Sequence, residues 1–185
     1  MHGVIHPHLR TRAAGLVSTK ERFGAEPREE LSRRGLRGLP SEDVFASLWP
    51  RKYEGVAAQF LVEDAATDRV GGYASLHALS SQGRYVKCSV AADPDVLGPE
   101  ALTDAFALTV NYGFSMWNVR KVYFWVVDLG LPALRATGVE IVREGTLLEY
   151  VRDGERLRTV RIFAVYREAW DAVGADRVRR AVEAE

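Results

Sequence analysis

Apolar and polar positions alternate along three stretches in the first half of the chain, and each reads as a strand: Val56 to Glu63, Arg69 to Leu79 and Arg84 to Ala92. The segments between them, Ala65-Ala66-Thr67-Asp68 and Ser80 to Gly83, are turn-like, so the three strands predict an antiparallel meander. Gly71-Gly72 inside the second strand marks a bulge or a close backbone approach. After Gly98 the period changes. Leu102, Ala105, Phe106, Thr109, Val110 and Phe114 recur at intervals of three and four, which predicts a helix from Pro99 to Met116 with Gly98 and Pro99 at its start. Lys121 to Val127 is rich in Val, Tyr, Phe and Trp and predicts a buried strand. Leu131 to Thr137 is a short helix ended by Gly138. Val139 to Val151 and Leu157 to Tyr166 are two long strands joined by a hairpin at Arg152-Asp153-Gly154-Glu155. The charged segment from Arg167 to Glu185 is a terminal helix.

The N-terminal third carries weaker signals. A short strand is expected around Leu9-Arg10-Thr11-Arg12, followed by a helix from Glu26 to Leu36 with Pro27 in its first turn and Gly35 near its end. Ser41 is an N-cap for a second helix, with Glu42 and Asp43 favouring the positive end of its dipole. Val44, Phe45, Leu48 and Trp49 form its apolar stripe, and Pro50 stops it.

Composition narrows the function classes. The 185 residues are enough for one domain with a full core, and 47% apolar and 27% charged residues are ordinary for a globular protein. Formal net charge is zero, which gives no pull toward nucleic acid or an anionic membrane. No apolar run approaches the ~18 residues of a spanning helix, and the start of the chain lacks the pattern of a secretory signal, so a cytoplasmic location is expected. The single cysteine, Cys88, excludes an internal disulfide and a Cys-rich zinc site; no metal is expected. Between Leu9 and Arg37, eight cations (Arg10, Arg12, Lys20, Arg22, Arg28, Arg33, Arg34 and Arg37) face four glutamates. Such a mixed cluster usually solvates a surface, and docking of an anionic partner is the sharper alternative.

Strands, a long helix after the fourth strand, another strand, a short helix and a closing hairpin together resemble the GNAT superfamily of acetyl-coenzyme A-dependent N-acetyltransferases. The resemblance covers about residues 9–170 of a single domain, with 171–185 as a charged tail. Asn111-Tyr112-Gly113-Phe114, Arg120-Lys121-Val122-Tyr123 and Tyr166-Arg167-Glu168-Ala169-Trp170 look most like the branch that acetylates ribosomal-protein N-termini. The resemblance implies an α/β (α+β) fold with a mixed, mostly antiparallel central sheet flanked by helices. It also implies an acyl-CoA donor held by the end of the fourth strand, Val90, Ala91 and Ala92, and by a loop and helix start at Gly98, Pro99, Glu100 and Ala101.

That loop departs from the family pattern. Glu100 stands where a key glycine is usual, and Pro99 removes one N–H donor. The position of the family's tyrosine acid is Leu134, and the segment from Asp128 to Pro132 has no asparagine. The loop is therefore degenerate for pyrophosphate, and an acyl carrier protein docking on Arg33 and Arg34 becomes an alternative donor.

The candidates for chemistry are His77, a base near neutral pH; Asp128, just past the fifth strand; and Tyr150, an acid or orienting group. Cys88 reads as a small buried hydrophobe, and His2, His6 and His8 as a loose terminus. Trp117, Tyr123, Phe124 and Trp125 read as core more than as a binding cage. The reading is an acyltransferase acting on an amine of a small molecule or peptide. A non-catalytic binding module, or the same fold recruited to another biosynthetic reaction, is the alternative.

Overall fold

Seven strands of the computed structural model form one sheet in the order β1-β2-β3-β4-β5-β7-β6. Residues 5–18, 27–49, 55–127 and 131–183 are described. The strands are β1 (Ala14–Ser18), β2 (Val56–Asp64), β3 (Val70–Ser80), β4 (Tyr85–Ala92), β5 (Lys121–Val127), β6 (Val142–Asp153) and β7 (Arg156–Tyr166). The helices are α1 (Pro27–Arg33), α2 (Glu42–Leu48), α3 (Pro99–Met116), α4 (Pro132–Arg135), α5 (Arg167–Ala169) and α6 (Ala175–Glu183). A π-helical segment, Trp170–Gly174, lies between the last two. All pairings are antiparallel except β4 with β5, the step bridged by α3. The expected fold class is the observed one.

Most element positions follow the sequence pattern. The long helix spans Pro99–Met116 and the fifth strand Lys121–Val127, as the spacing predicts. Ser41 Oγ accepts from the Val44 N–H at 3.4 Å, a side-chain cap at the start of α2. Gly71 is the extra residue of a bulge, since Val62 pairs with Gly72 while Glu63 pairs with Val70. A Cβ on Gly72 would lie 2.9 Å from the Ala91 carbonyl oxygen, so this strand also needs the close approach. Gly154 at φ +63° and Gly138 at φ +80° take the left-handed conformations their turns require.

One expectation is corrected. The first strand is Ala14–Ser18, not Leu9-Arg12. Arg10 makes only an isolated bridge to Gly15, and Ala14 to Ser18 pair along Asp64 to Phe60 of β2. Burial explains the choice: Ala14 and Leu16 fill the core, whereas Arg10 and Arg12 on the earlier segment are exposed and pair with Asp68 and Glu100.

The two faces of the sheet are covered differently. On one face α3 packs against Leu76, Val86, Val122 and Phe163 in the main core. The C-terminal segment belongs to the same body: Trp170 is fully buried beside Phe114, and its Nε1–H reaches Asn111 Oδ1 at 3.3 Å. Arg167 donates to the carbonyls of Phe114, Trp117 and Val119 at 2.8–3.0 Å, satisfying acceptors at the end of α3. On the other face α1 and α2 cover Tyr73, Ala91, Val151 and Val160 with Leu31, Val44, Phe45, Leu48 and Trp49. Among the described residues no helix is long and apolar enough to cross a membrane.

Candidate active site

The parallel pair at the centre of the sheet is short. β4 and β5 pair only over Tyr85–Lys87 and Lys121–Tyr123. Beyond that point Cys88 to Ala92 keep partners on β3 alone, and Phe124 to Val127 keep partners on β7 alone. The strands splay, and both facing edges carry backbone donors and acceptors with no strand partner across the gap. A cleft of about 430 Å³ occupies this splay. Ser89, Val90 and Trp125 to Val127 form its strand walls, Ser41, Val44, Leu48 and Trp49 its helical wall, and Phe106 and Phe124 its base.

Alternation assigns the β4 side chains to the two faces of the sheet. Tyr85, Lys87, Ser89 and Ala91 share the sheet face that carries α2, and across the register lie His77 opposite Lys87 and Ser75 opposite Ser89. Ser89 Oγ lies 3.0 Å from His77 Nε2. With the ring hydrogen on Nδ1, Nε2 accepts the serine hydroxyl proton. His77 is 6% exposed and is absent from the cleft wall, so Ser89 is the side chain that links it to the cleft. Burial, and then the positive charge of Lys87, hold the His77 pKa down to about 4. The imidazole is therefore neutral at neutral pH, with a ring nitrogen free to accept a hydrogen bond.

Lys87 reaches over the Trp125 ring, its Nζ 3.7 Å from the centroid, and burial lowers its pKa. Tyr150 meets the same indole edge-on at 6.0 Å and is 53% exposed, outside the residues that line the cleft. Bulges flank this region on two strands. The register shifts between His77 and Ser80, where Ala78 adopts φ 50°, and between Leu147 and Val151, where Glu149 adopts φ 49°. Non-glycine residues in this conformation are strained and concentrate at functional sites.

At the end of the β4–β5 pair away from the splay, Glu144 receives hydrogen bonds from Tyr123 Oη at 2.6 Å, from Tyr166 Oη, and from Lys121 Nζ at 2.9 Å. Partial desolvation works to raise its pKa, but these three donors outweigh it and hold the carboxyl down to about 2. Every charge in this cluster is matched, so it braces β5, β6 and β7.

The sequence candidates separate as follows. His77 and Tyr150 lie beside the cleft, joined to its wall through Ser89 and Trp125, and neither lines it. Asp128 lies outside the described residues. Val90 lines the cleft, whereas Ala91 turns to the α2 core. Gly98 is the N-cap of α3 and Pro99 its first residue; Ala101 is buried, and the exposed Glu100 carboxylate faces Arg12 at 3.4 Å. Leu134 is fully buried in the main core. Cys88 is buried, and desolvation pushes its thiol pKa up, as expected for a small hydrophobe. Of the four aromatics, Phe124 is core and Trp117 packs on Tyr112, but Trp125 forms cleft wall and Tyr123 binds Glu144. Arg33, the last residue of α1, and Arg34 just beyond it both pair with Glu30 at 3.0 Å. His6 gives its carbonyl to Asn111 Nδ2 at 2.8 Å. No group of three or more His, Cys, Asp or Glu among the described residues is arranged to hold a metal ion. Sequence reasoning missed Ser89 and Lys87. The signal was available in their alternation with Val86, Cys88 and Val90 on β4, but it acquires meaning only beside His77.

No family model and no curated protein matches the sequence. Solved structures do match in fold. A mutant form of spermidine N-acetyltransferase from Vibrio cholerae aligns with a TM-score of 0.63 at 17% identity, covering 85% of this chain and 96% of that one. The spermidine N-acetyltransferase from Vibrio cholerae in complex with CoA and spermine gives 0.62 at 17% identity, over 85% and 98% of the two chains. The spermidine/spermine N-acetyltransferase from the same organism in complex with manganese ions gives 0.60 at 16% identity, over 91% and 97%. The chain thus has the GNAT fold expected from its element order.

Proposed function

We propose that this chain is an acyltransferase that moves an acetyl or other acyl group from an acyl-CoA thioester to an amine. The observation that carries the reading is the splay between β4 and β5 with the Ser89–His77 pair in its wall. The cleft has room for a thioester arm, and its unpaired strand edges can hydrogen-bond that arm and polarise its carbonyl. The start of the 18-residue helix α3 suits the donor's phosphates: its first-turn N–H groups and dipole favour negative charge. Glu100 opposes this, but its exposure and the nearby Arg12 weaken the repulsion. The fold match to a protein solved with CoA and spermine supports a CoA donor and a small-molecule amine acceptor.

The chemistry needs one proton path. The amine nitrogen attacks the acyl carbonyl carbon, and the C–S bond breaks as the thiolate leaves. Ser89 Oγ accepts the proton released from nitrogen while its own passes to His77 Nε2. Burial and Lys87 disfavour the imidazolium, so it is short-lived and returns its proton through Ser89 to the thiolate sulfur, a route that does not need a tyrosine acid at Leu134. The residues that resemble the ribosomal N-terminal branch bear on packing more than on the acceptor: Tyr112 stacks edge-on with Phe60, and Phe114 lies against Trp170. Arg33 and Arg34 share the single carboxylate of Glu30, which reduces but does not cancel the positive charge that a carrier-protein donor would meet.

Calorimetry with acetyl-CoA and longer acyl-CoA species tests the donor site; micromolar binding is expected, and no binding by any species refutes the reading. Ser89→Ala tests the proton path. It should lower kcat by about 100-fold with donor binding unchanged, and an undiminished kcat would remove Ser89 from the mechanism.

A further inference from the structure

The solved structures of similar fold include one with a polycation, spermine, bound. The described lining of this chain's cleft offers no unpaired carboxylate to hold a polycation. Among its described lining residues the one carboxylate is Asp153, and Arg158 already holds it at 2.8 Å. Glu144, near Tyr123 across from Lys87, is taken up by Lys121 and two tyrosines. Lys87 makes no ion pair with any described carboxylate. Lys87 does not itself line the cleft, but its ammonium rests on Trp125, a cleft-wall residue, at the point where the strands part.

A half-buried ammonium with no counter-ion is costly to keep, because burial disfavours its charge. Its placement is explained if an anion completes it. Lys87 and Ser89 occupy successive positions on one face of β4, roughly 7 Å apart along the strand. A small molecule carrying an amine and a carboxylate on a short carbon skeleton can reach both at once. A polycation in the same place would meet Lys87 as an unscreened like charge.

We propose that the acceptor is an amine that also carries a carboxylate, an amino-acid-like molecule, and that Lys87 anchors this carboxylate while Ser89 faces the amine. This rests on the acyl-transfer reading and assigns the class of acceptor. The full chain would be assayed for thiol release from acetyl-CoA with α-amino acids, with the corresponding amines lacking the carboxylate, and with spermidine. Donor binding would be followed separately by calorimetry. The carboxylate-bearing amines should be preferred in kcat/KM by roughly tenfold or more, the worth of a charge-assisted contact. Lys87→Met should erase most of that preference by raising KM for the carboxylate-bearing amines alone, any change in kcat through His77 being shared by all amines, and Lys87→Glu should turn the preference toward cationic amines. Thermal melting of both variants would show that they remain folded. Preference of the unaltered chain for spermidine or for carboxylate-free amines would overturn the assignment, as would a preference that survives Lys87→Met. Donor binding with no turnover of any carboxylate-bearing amine would overturn the acceptor class and leave the donor site standing. Absence of donor binding would overturn both.

Discussion

Leu76 and His77 are neighbours on β3, yet they face two different proteins in miniature. Leu76 is fully buried against α3, in a core of aliphatic and aromatic side chains that includes Val86, Val122 and Phe114. His77 points to the α2 face, where Ser89 and Lys87 are its partners and Gln59 lies further across the sheet with its buried Nε2 unpaired. The apolar cluster under α1 and α2 covers part of this second face, and the rest is polar or open to the cleft. Buried polar groups that are incompletely paired reduce stability. One face therefore supplies the cohesion and the other holds reactive groups at some cost to it. The helix that closes the first face also joins β4 to β5, so the element that stabilises the sheet is the one that leaves the splay open.

Substitutions on one strand can set the two faces against each other. The largest effect is expected at Leu76→Ala, a loss of roughly 2–5 kcal/mol in denaturant unfolding with donor affinity unchanged in the folded fraction. A loss well below 1 kcal/mol would show that the α3 face is not the cohesive one. Next comes His77. Its folded pKa of about 4 lies below its ordinary value of 6.5, so the unfolded chain binds more protons between these values. The stability linked to His77 is whole above pH 6.5 and declines as pH falls toward 4, by up to about 3 kcal/mol. His77→Gln should flatten the stability profile across that window; an unchanged slope would mean that the ring is not held neutral by burial.

The smallest effect is at Glu144, on the same face but fully paired. Its pKa is lowered from 4.5 to about 2, so its contribution is present above pH 4.5 and drains away as pH falls to 2. Solvent screening limits that contribution to about 1 kcal/mol. Glu144→Gln should soften acid unfolding in this lower window and leave the His77 window alone. Movement of both windows together would mean that the two clusters are one network.

Local rules made most of the fold legible. The period of the long helix, the cap at Ser41, the glycines at 138 and 154 and the turns of the meander each act within a few residues, so their positions can be read along the chain. The first strand was misplaced because Ala14–Ser18 is selected by pairing with Phe60 to Asp64, about fifty residues away, and nothing in Leu9 to Arg12 announces that partner. The site was legible only in fragments. His77 stood out by its chemistry, whereas Ser89 and Lys87 looked like ordinary polar positions on an alternating strand.

The sequence by itself determined the order of strands and helices, the class of the fold and the absence of a tyrosine at Leu134, because these follow from periodicity, turn chemistry and residue identity. Tertiary structure alone decided where β4 and β5 part, which set of alternating side chains faces the cleft, and that Ser89 meets His77 while Lys87 meets Trp125. The physical reason is register. A strand offers every second residue to each face, and only pairing with distant strands settles which residues of different strands become neighbours.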